Sequence, residues 1–402
     1  MSEVISQARA FLATSQPEKA LELLSSHIGS DKNSSSSPEL LSIFGETLLE
    51  NNQLEEAYQV LTTACQLDPE AKQGAEKYLY LGQIIGGRDG LNYINTGLNK
   101  LNEYLAEVQG GECSNQIIKD SGYESLTEYQ KWLLKKLNSG IFASIEIWMT
   151  DLCMEEEAES KCNELIEYSL SLDSTNPESY SQLSSIRISQ QRNQDAIEAL
   201  VRAWDLFQAK KTKLEDYANV IKEEEKENDA FEVGMEYVEL IQPLLTLSKY
   251  AVELEQYEIA IDIVSNVQDI NDSILDAFYI EAIAYLFKAK KIISLLDKAQ
   301  LDGNNSDATA AAADYRDIEI KKLKMCENEE IKSLVNDARL CLTSGYKIIN
   351  SELTEECDPT VIEQVNDLLN QLDGPIISEL MPKKEKNEDD NDDWEAEIEY
   401  ED

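Results

Sequence analysis

A chain of 402 residues that is 42% hydrophobic and 28% charged can bury a sizeable core, and its 79 acidic against 35 basic residues give a net charge of −44. Such a surface repels nucleic acid and anionic lipid and attracts Lys/Arg-rich polypeptides, although acidity of this kind also serves simply to keep a long molecule soluble and monomeric. With 16 Gly, 8 Pro, abundant Leu, Ala, Glu, Lys and Gln and few alternating stretches, the composition points to an all-α protein.

Seven cysteines (Cys65, Cys113, Cys153, Cys162, Cys326, Cys341, Cys357) are scattered without a Cys-x-x-Cys pair, as reduced thiols are in the cytoplasm or nucleus. The segment Met1 to Ala10 carries Glu3 and Arg9 and reads as neither leader nor anchor, and no stretch reaches the roughly 18 apolar residues of a membrane span. A protein of cytoplasm and nucleus is expected, with no membrane association.

Along the chain a small residue is followed twelve positions later by Ala or another apolar residue: Ala8/Ala20, Gly45/Ala57, Gly82/Ile94, Ser184/Ala196 and Ser248/Ala260. Four residues before each small one stands Val4, Leu41, Tyr78, Tyr180 or Leu244, and four after its partner stands Leu24, Leu61, Leu98, Leu200 or Val264. Three further on come His27, Ala64, Leu101, Ala203 and Val267. Two antiparallel helices packed so closely that each keeps one small slot, with larger residues in the neighbouring grooves, produce this pattern. Turn residues agree: Asn51-Asn52-Gln53 and Gln191-Arg192-Asn193 fall between paired helices, while Asp68-Pro69 and Asn176-Pro177 separate one pair from the next. The pattern resembles the tetratricopeptide repeat, best between Leu41 and Pro69; in the copy opening at Asn176, Ser184 replaces the consensus glycine and Arg187 the tyrosine.

The fold expected is an all-α, tetratricopeptide-like, right-handed superhelical solenoid over 1–375, with insertions near 31–38, 208–232 and 300–310, followed by an acidic, disordered tail over 376–402. The spacing from Gly82 to Ser184 equals three periods of 34, which predicts hidden repeats between them. Helices are expected at Leu126 to Leu137, Ile141 to Leu152 and Glu156 to Leu170. Lys210 to Asp229 reads as an exposed helix or loop, Ala308 to Cys326 and Glu329 to Asn350 as longer helices, and Thr360 to Leu372 as a cap on the stack. Between Glu385 and Asp402 eleven acidic residues face one basic residue, with Trp394, Ile398 and Tyr400 interleaved as a docking segment or a solubilising tail.

Chemistry is scarce. His27 is the one histidine, so Ser-His-Asp and histidine-rich metal arrangements have little to draw on, and its position suits packing. Gly86-Gly87-Arg88-Asp89-Gly90 follows a predicted helix and lacks the Lys-Ser/Thr of a phosphate loop, so it reads as a helix end and turn. No catalytic residue, metal or cofactor is expected. If the first helix of each pair faces the inner side of the array, Glu39, Glu46, Glu50, Glu76, Glu146, Glu178, Glu253, Asp276 and Tyr279 project there. Chaperone-tail receptors of the repeat class need Lys and Asn in those places, and these carboxylates would repel an acidic tail.

The long repeat array, the extreme acidity, the Asn176-Pro177-Glu178-Ser179-Tyr180 opening and the tail with Asp392-Asp393-Trp394 together resemble the fungal assembly chaperones dedicated to the large-subunit ribosomal protein L-four. That resemblance implies a basic ribosomal protein as client, its extension shielded in the groove and delivered to nuclear pre-ribosomes by a monomer carrying one client, without direct nucleic-acid binding. A repeat scaffold joining several proteins and an acidic histone-type chaperone are the alternative readings.

Overall fold

The computed structural model describes residues 2–14, 16–30, 37–111, 125–224, 227–302 and 314–381. All regular elements among the described residues are helical, and no helix among them is long and apolar enough to cross a membrane. Trp394, Ile398 and Tyr400 lie outside the described residues, as do 31–36, 225–226 and 303–310 of the expected insertions. Where one array was expected, contacts divide the chain into two compact units, one ending at Pro243 and one beginning at Leu244.

The first unit opens with five antiparallel helix pairs. These are α1 (Ser2–Ala13) with α2 (Pro17–Ser30), α3 (Pro38–Glu50) with α4 (Leu54–Leu67), α5 (Glu76–Ile85) with α6 (Gly87–Gln109), α7 (Leu126–Met149) with α8 (Ala158–Leu172), and α9 (Pro177–Ser189) with α10 (Asn193–Glu224). Then follows α11 (Glu227–Val238), which packs on α10. The small slots close the pairs. Ala8, Ala20, Ala57, Ile94, Ser184 and Ala196 are fully buried. A Cβ at Gly45 would overlap the Leu61 side chain, and one at Gly82 would overlap Ile94 and the Gly90 carbonyl. In the Ser184 copy the side chain is used instead of being excluded, since its hydroxyl donates to the Ala196 carbonyl at 2.9 Å.

The turns inside pairs share one geometry. Asn52 and Gln191 have φ of +57°, with the following amide returning to the helix: Gln53 N–H donates to Leu48 O at 2.8 Å and Arg192 N–H to Arg187 O at 2.9 Å. A left-handed residue with a six-to-one bond satisfies the last carbonyls of the first helix and reverses the chain. Glu255 (φ +60°) and Gln256, which donates to Ala251 O at 2.8 Å, repeat this device in the second unit. Pair-to-pair junctions depend on N-caps instead: Ser37 with Pro38 starts α3 and Asn176 with Pro177 starts α9.

The region of decayed consensus corrects two expectations. Leu126–Met149 is one continuous helix rather than two, because Gly140 is a packing slot and not a break: a Cβ there would stand 2.8 Å from Leu98 and 2.9 Å from Leu79. Between Gly82 and Ser184 the described residues hold one intervening helix pair rather than two, as α6 and α7 run to 23 and 24 residues. Buried polar groups tie this pair to the next: the Ser169 hydroxyl donates to Asn138 Oδ1 at 2.6 Å and lies 2.7 Å from the Ser179 hydroxyl.

The second unit takes in α12 (Ile241–Glu253) from Leu244 onward, then α13 (Tyr257–Ile270), α14 (Leu275–Asp302), α15 (Ile320–Lys324), α16 (Glu329–Ile349), α17 (Pro359–Gln371) and α18 (Ile377–Leu380). Its core joins Leu286, Leu323, Ile331, Leu342 and Val365, with α16 packed along α14 and α17 across both. The expected long helix through Cys326 is, over 314–326, a single turn at Tyr315–Asp317 and the short α15. Asp314 caps that turn through the Arg316 amide, and Lys290 donates to the Arg316 carbonyl at 2.7 Å, so side chains take the places of helical bonds.

Candidate functional site

In the first unit α1 packs on α3, α3 on α5, α5 on α7 and α7 on α9, so the first helices of successive pairs form one continuous layer. On α3, Glu39, Glu46 and Glu50 are spaced seven and four residues apart, which places them on one helical face; Glu76 and Tyr80, four apart, do the same on α5.

The register of α5 is set by the loop before it. The Asp68 carboxylate accepts from the Lys72 amide at 3.0 Å, the Gln73 amide at 2.8 Å and the Lys77 ammonium at 2.8 Å. Lys77 is wholly buried and also donates to the carbonyls of Gln73 (2.6 Å) and Gly74 (2.7 Å). Burial alone would raise the Asp68 carboxyl, but the Lys77 ammonium and the two amides outweigh it and hold it below its ordinary value. The Tyr78 hydroxyl donates to the Asp68 carbonyl at 2.8 Å, turning that ring into the core. With Tyr78 fixed inward, Tyr80 two residues on faces the layer of first helices.

There the Tyr80 hydroxyl donates to Glu46 Oε1 at 2.5 Å and accepts from Lys136 Nζ, on α7, at 2.7 Å. Lys136 also lies 3.6 Å from the same Glu46 oxygen. Burial, followed by the negative charge of Glu46, Glu76 and Glu50, pushes the Tyr80 phenol well up, so it stays a neutral donor. Glu39 pairs with Arg9 of α1 at 3.2 Å. Four of the expected residues, Glu39, Glu46, Glu50 and Glu76, are thus brought onto α3 and α5, where Arg9 of α1 pairs with Glu39 and Lys136 of α7 with Glu46.

The remaining five are placed elsewhere. Glu146 is exposed near the end of α7, and Glu178 lies in the first turn of α9, where its amide donates to the capping Asn176 Oδ1 at 3.0 Å. In the second unit Glu253 is exposed on α12, with its backbone carbonyl accepting from Arg316 at 2.9 Å. Asp276 lies 3.6 Å from Lys249. Tyr279 packs against the α14–α16 core, and burial raises its phenol. His27 is half-buried on α2. The glycine run ends α5 at Gly86, with φ +66°, as expected, but where a turn was expected Gly87 already starts α6, its amide donating to Asp151 at 2.7 Å. Among the described residues no group of three or more His, Cys, Asp or Glu is placed to hold a metal.

Tyr80 and Lys136 escaped the sequence reading. A signal for Tyr80 existed, because it stands 34 residues after Glu46, one repeat length along. Lys136 stands 56 residues beyond Tyr80, across long helices that break the period, and had none.

Residues 273–393 match the family model for the ACL4 C-terminal domain. A protein of Schizosaccharomyces pombe named "Probable assembly chaperone of rpl4" is 26% identical over 310 residues, covering 76% of this chain and 72% of that one. One of Emericella nidulans with the same name is 28% identical over 214 residues, about half of each chain. Among solved structures, that of "Assembly Chaperone of RpL4 (Acl4) (Residues 1-338)" superposes with a TM-score of 0.54 at 18% identity, over 75% of this chain and 99% of that one, a likeness of fold.

Proposed function

We propose that this chain, which resembles the fungal assembly chaperones of rpl4 by sequence over three quarters of its length, is itself a chaperone for the large-subunit ribosomal protein L-four. It binds a basic extension of that client and accompanies it from cytoplasm to nucleus. The similarity to those named relatives carries the client's identity. The mode of binding is supported by the layer of first helices, where Glu39, Glu46, Glu50 and Glu76 are presented together in a chain of net charge −44. A free Arg/Lys-rich extension binds RNA non-specifically, and an acidic face competes for it until the correct RNA phosphates displace the face. Binding and release of this kind need no bond-making group, so the reading is of a binding protein and not an enzyme.

The test is capture of the L-four extension as a purified peptide, titrated at several salt concentrations. Affinity should fall as the screening length shortens from about 8 Å at physiological ionic strength to about 3 Å at 1 M. Reversing Glu39, Glu46, Glu50 and Glu76 to Lys together should abolish capture with the helical circular dichroism spectrum intact. Capture unaffected by salt or by the quadruple reversal would defeat the proposed mode.

A further inference from the structure

Lys136 reaches across from α7 to α5 and α3. Its ammonium donates to the Tyr80 hydroxyl at 2.7 Å, stands 5.2 Å from the centre of the Tyr80 ring and lies 3.6 Å from Glu46. A phenol oxygen and a carboxylate converging on one ammonium are the parts of a cation seat. Three carboxylates, Glu46, Glu76 and Glu50, act on this tyrosine, whereas one ammonium is bound to it. Nor is the seat sealed, since the Lys136 and Glu46 side chains retain 22% and 31% of their exposure.

We infer that Lys136 is a placeholder, a cation of the chain itself seated where an Arg or Lys of the basic polypeptide sits when captured, so that capture proceeds by exchange of one cation for another. The inference rests on the reading of this face as the site for a basic polypeptide, and it adds the event by which that site opens. An incoming guanidinium has the advantage: its planar fork of five donors can bridge two carboxylates, where the compact Lys136 ammonium meets one. The displaced lysine regains hydration and side-chain freedom, which offsets part of its loss. Two consequences follow. The seat selects Arg over Lys, and it discriminates against isolated cations that cannot match what Lys136 gives up.

The experiment uses the full chain with oligo-arginine and oligo-lysine peptides of equal length. Lys136→Met should bind oligo-arginine about fivefold more tightly than wild type, about 1 kcal/mol at roughly 1.4 kcal/mol per factor of ten, and the preference for arginine should narrow. Lys136→Arg, which keeps a cation in place, should show no such gain. Lys161→Met removes an exposed lysine paired with Glu164 on α8 and controls for net charge; an equal gain there, or no gain in Lys136→Met, overturns the placeholder. Should Lys136→Met misfold, amine acetylation of the wild-type chain read by mass spectrometry decides instead. Lys136 should label faster with peptide bound, and unchanged or slower labelling overturns the inference. If wild type binds neither peptide and no L-four extension, the reading beneath fails, a result distinct from normal capture with an indifferent Lys136.

Discussion

Two lysine–carboxylate pairs meet α5 within one turn of each other, one through Lys77 and the other through Tyr80, and they differ in kind. Lys77 and Asp68 are sealed, the lysine without exposure and every direction of its ammonium committed to a carboxylate or carbonyl. Lys136 and Glu46 are looser, 3.6 Å apart, partly open and bridged by a phenol. An ammonium taken fully out of water loses its hydration whether or not its partner remains, so the first pair behaves as architecture. The second keeps water as an alternative partner and is free to exchange. On the proposed reading, charge pairs of the same composition serve fold or function according to how much solvent each retains.

The sharpest break of that comparison is Lys77→Met, which leaves Asp68 buried against two amides and no cation. We expect a loss of about 3 kcal/mol in urea unfolding, at the low end for an orphaned buried partner because the amides persist. Lys136→Met should cost no more than about 1 kcal/mol by the same measurement. Equal losses would erase the distinction.

Next in size is Gly45→Ala. Its added carbon must displace Leu61 in a filled slot, at an expected cost of about 1 to 3 kcal/mol, read in thermal or urea unfolding. Gly87→Ala, where no atom faces the added carbon within 4 Å but φ is +55°, tests backbone strain without crowding and should cost about 1 kcal/mol.

Acid sharpens the buried pair. The folded Asp68 carboxyl is held below its ordinary 3.8, so its contribution is complete above that value and is lost as pH falls through the lower folded one. Wild-type stability should decline as pH drops below about 4, and the decline should be shallower in Lys77→Met. Comparing the two variants isolates Asp68 from Glu255 and Asp373, which are also held low by lysines. Parallel acid curves would show that Lys77 does not hold the carboxyl.

These expectations show why some of the fold was legible. The twelve-residue slots could be read because a missing side chain leaves a mark in the sequence wherever two backbones approach, as at Gly45 and Gly82. Asn138-Ser139-Gly140 misled for the same reason: a glycine that ends a helix and a glycine that lets another helix approach are written alike, and only Leu79 and Leu98, far away in sequence, decide between them. The choice of Glu39, Glu46, Glu50 and Glu76 rested on the packing slots and on the first helices facing inward. Their counter-charges did not, since Arg9 and Lys136 depend on which helices become neighbours, and that depends on lengths the decayed repeats conceal.

The smallest expected effect separates carboxylates that already hold a cation from one that holds none. Glu39 is paired with Arg9, both about 40% exposed, while exposed Glu50 has no ion-pair partner among the described residues. Exposed pairs contribute about 0.2 to 1 kcal/mol, so Glu50→Gln should weaken capture of oligo-arginine by no more than about fivefold. Glu39→Gln should weaken it less, because a peptide cation seated there gains one pair only as the Arg9 pair is given up. The difference will be clearest at low salt, where screening leaves surface charges their full reach. Titrations of the two variants side by side, with Arg9→Gln as a third, check this. Arg9→Gln should tighten capture slightly, as removal of a seated cation must if exchange is the rule on this face. A loss in Glu39→Gln equal to or greater than that in Glu50→Gln, with Arg9→Gln neutral, would mean that pairs within the chain do not compete with the client, and that net charge alone sets its affinity.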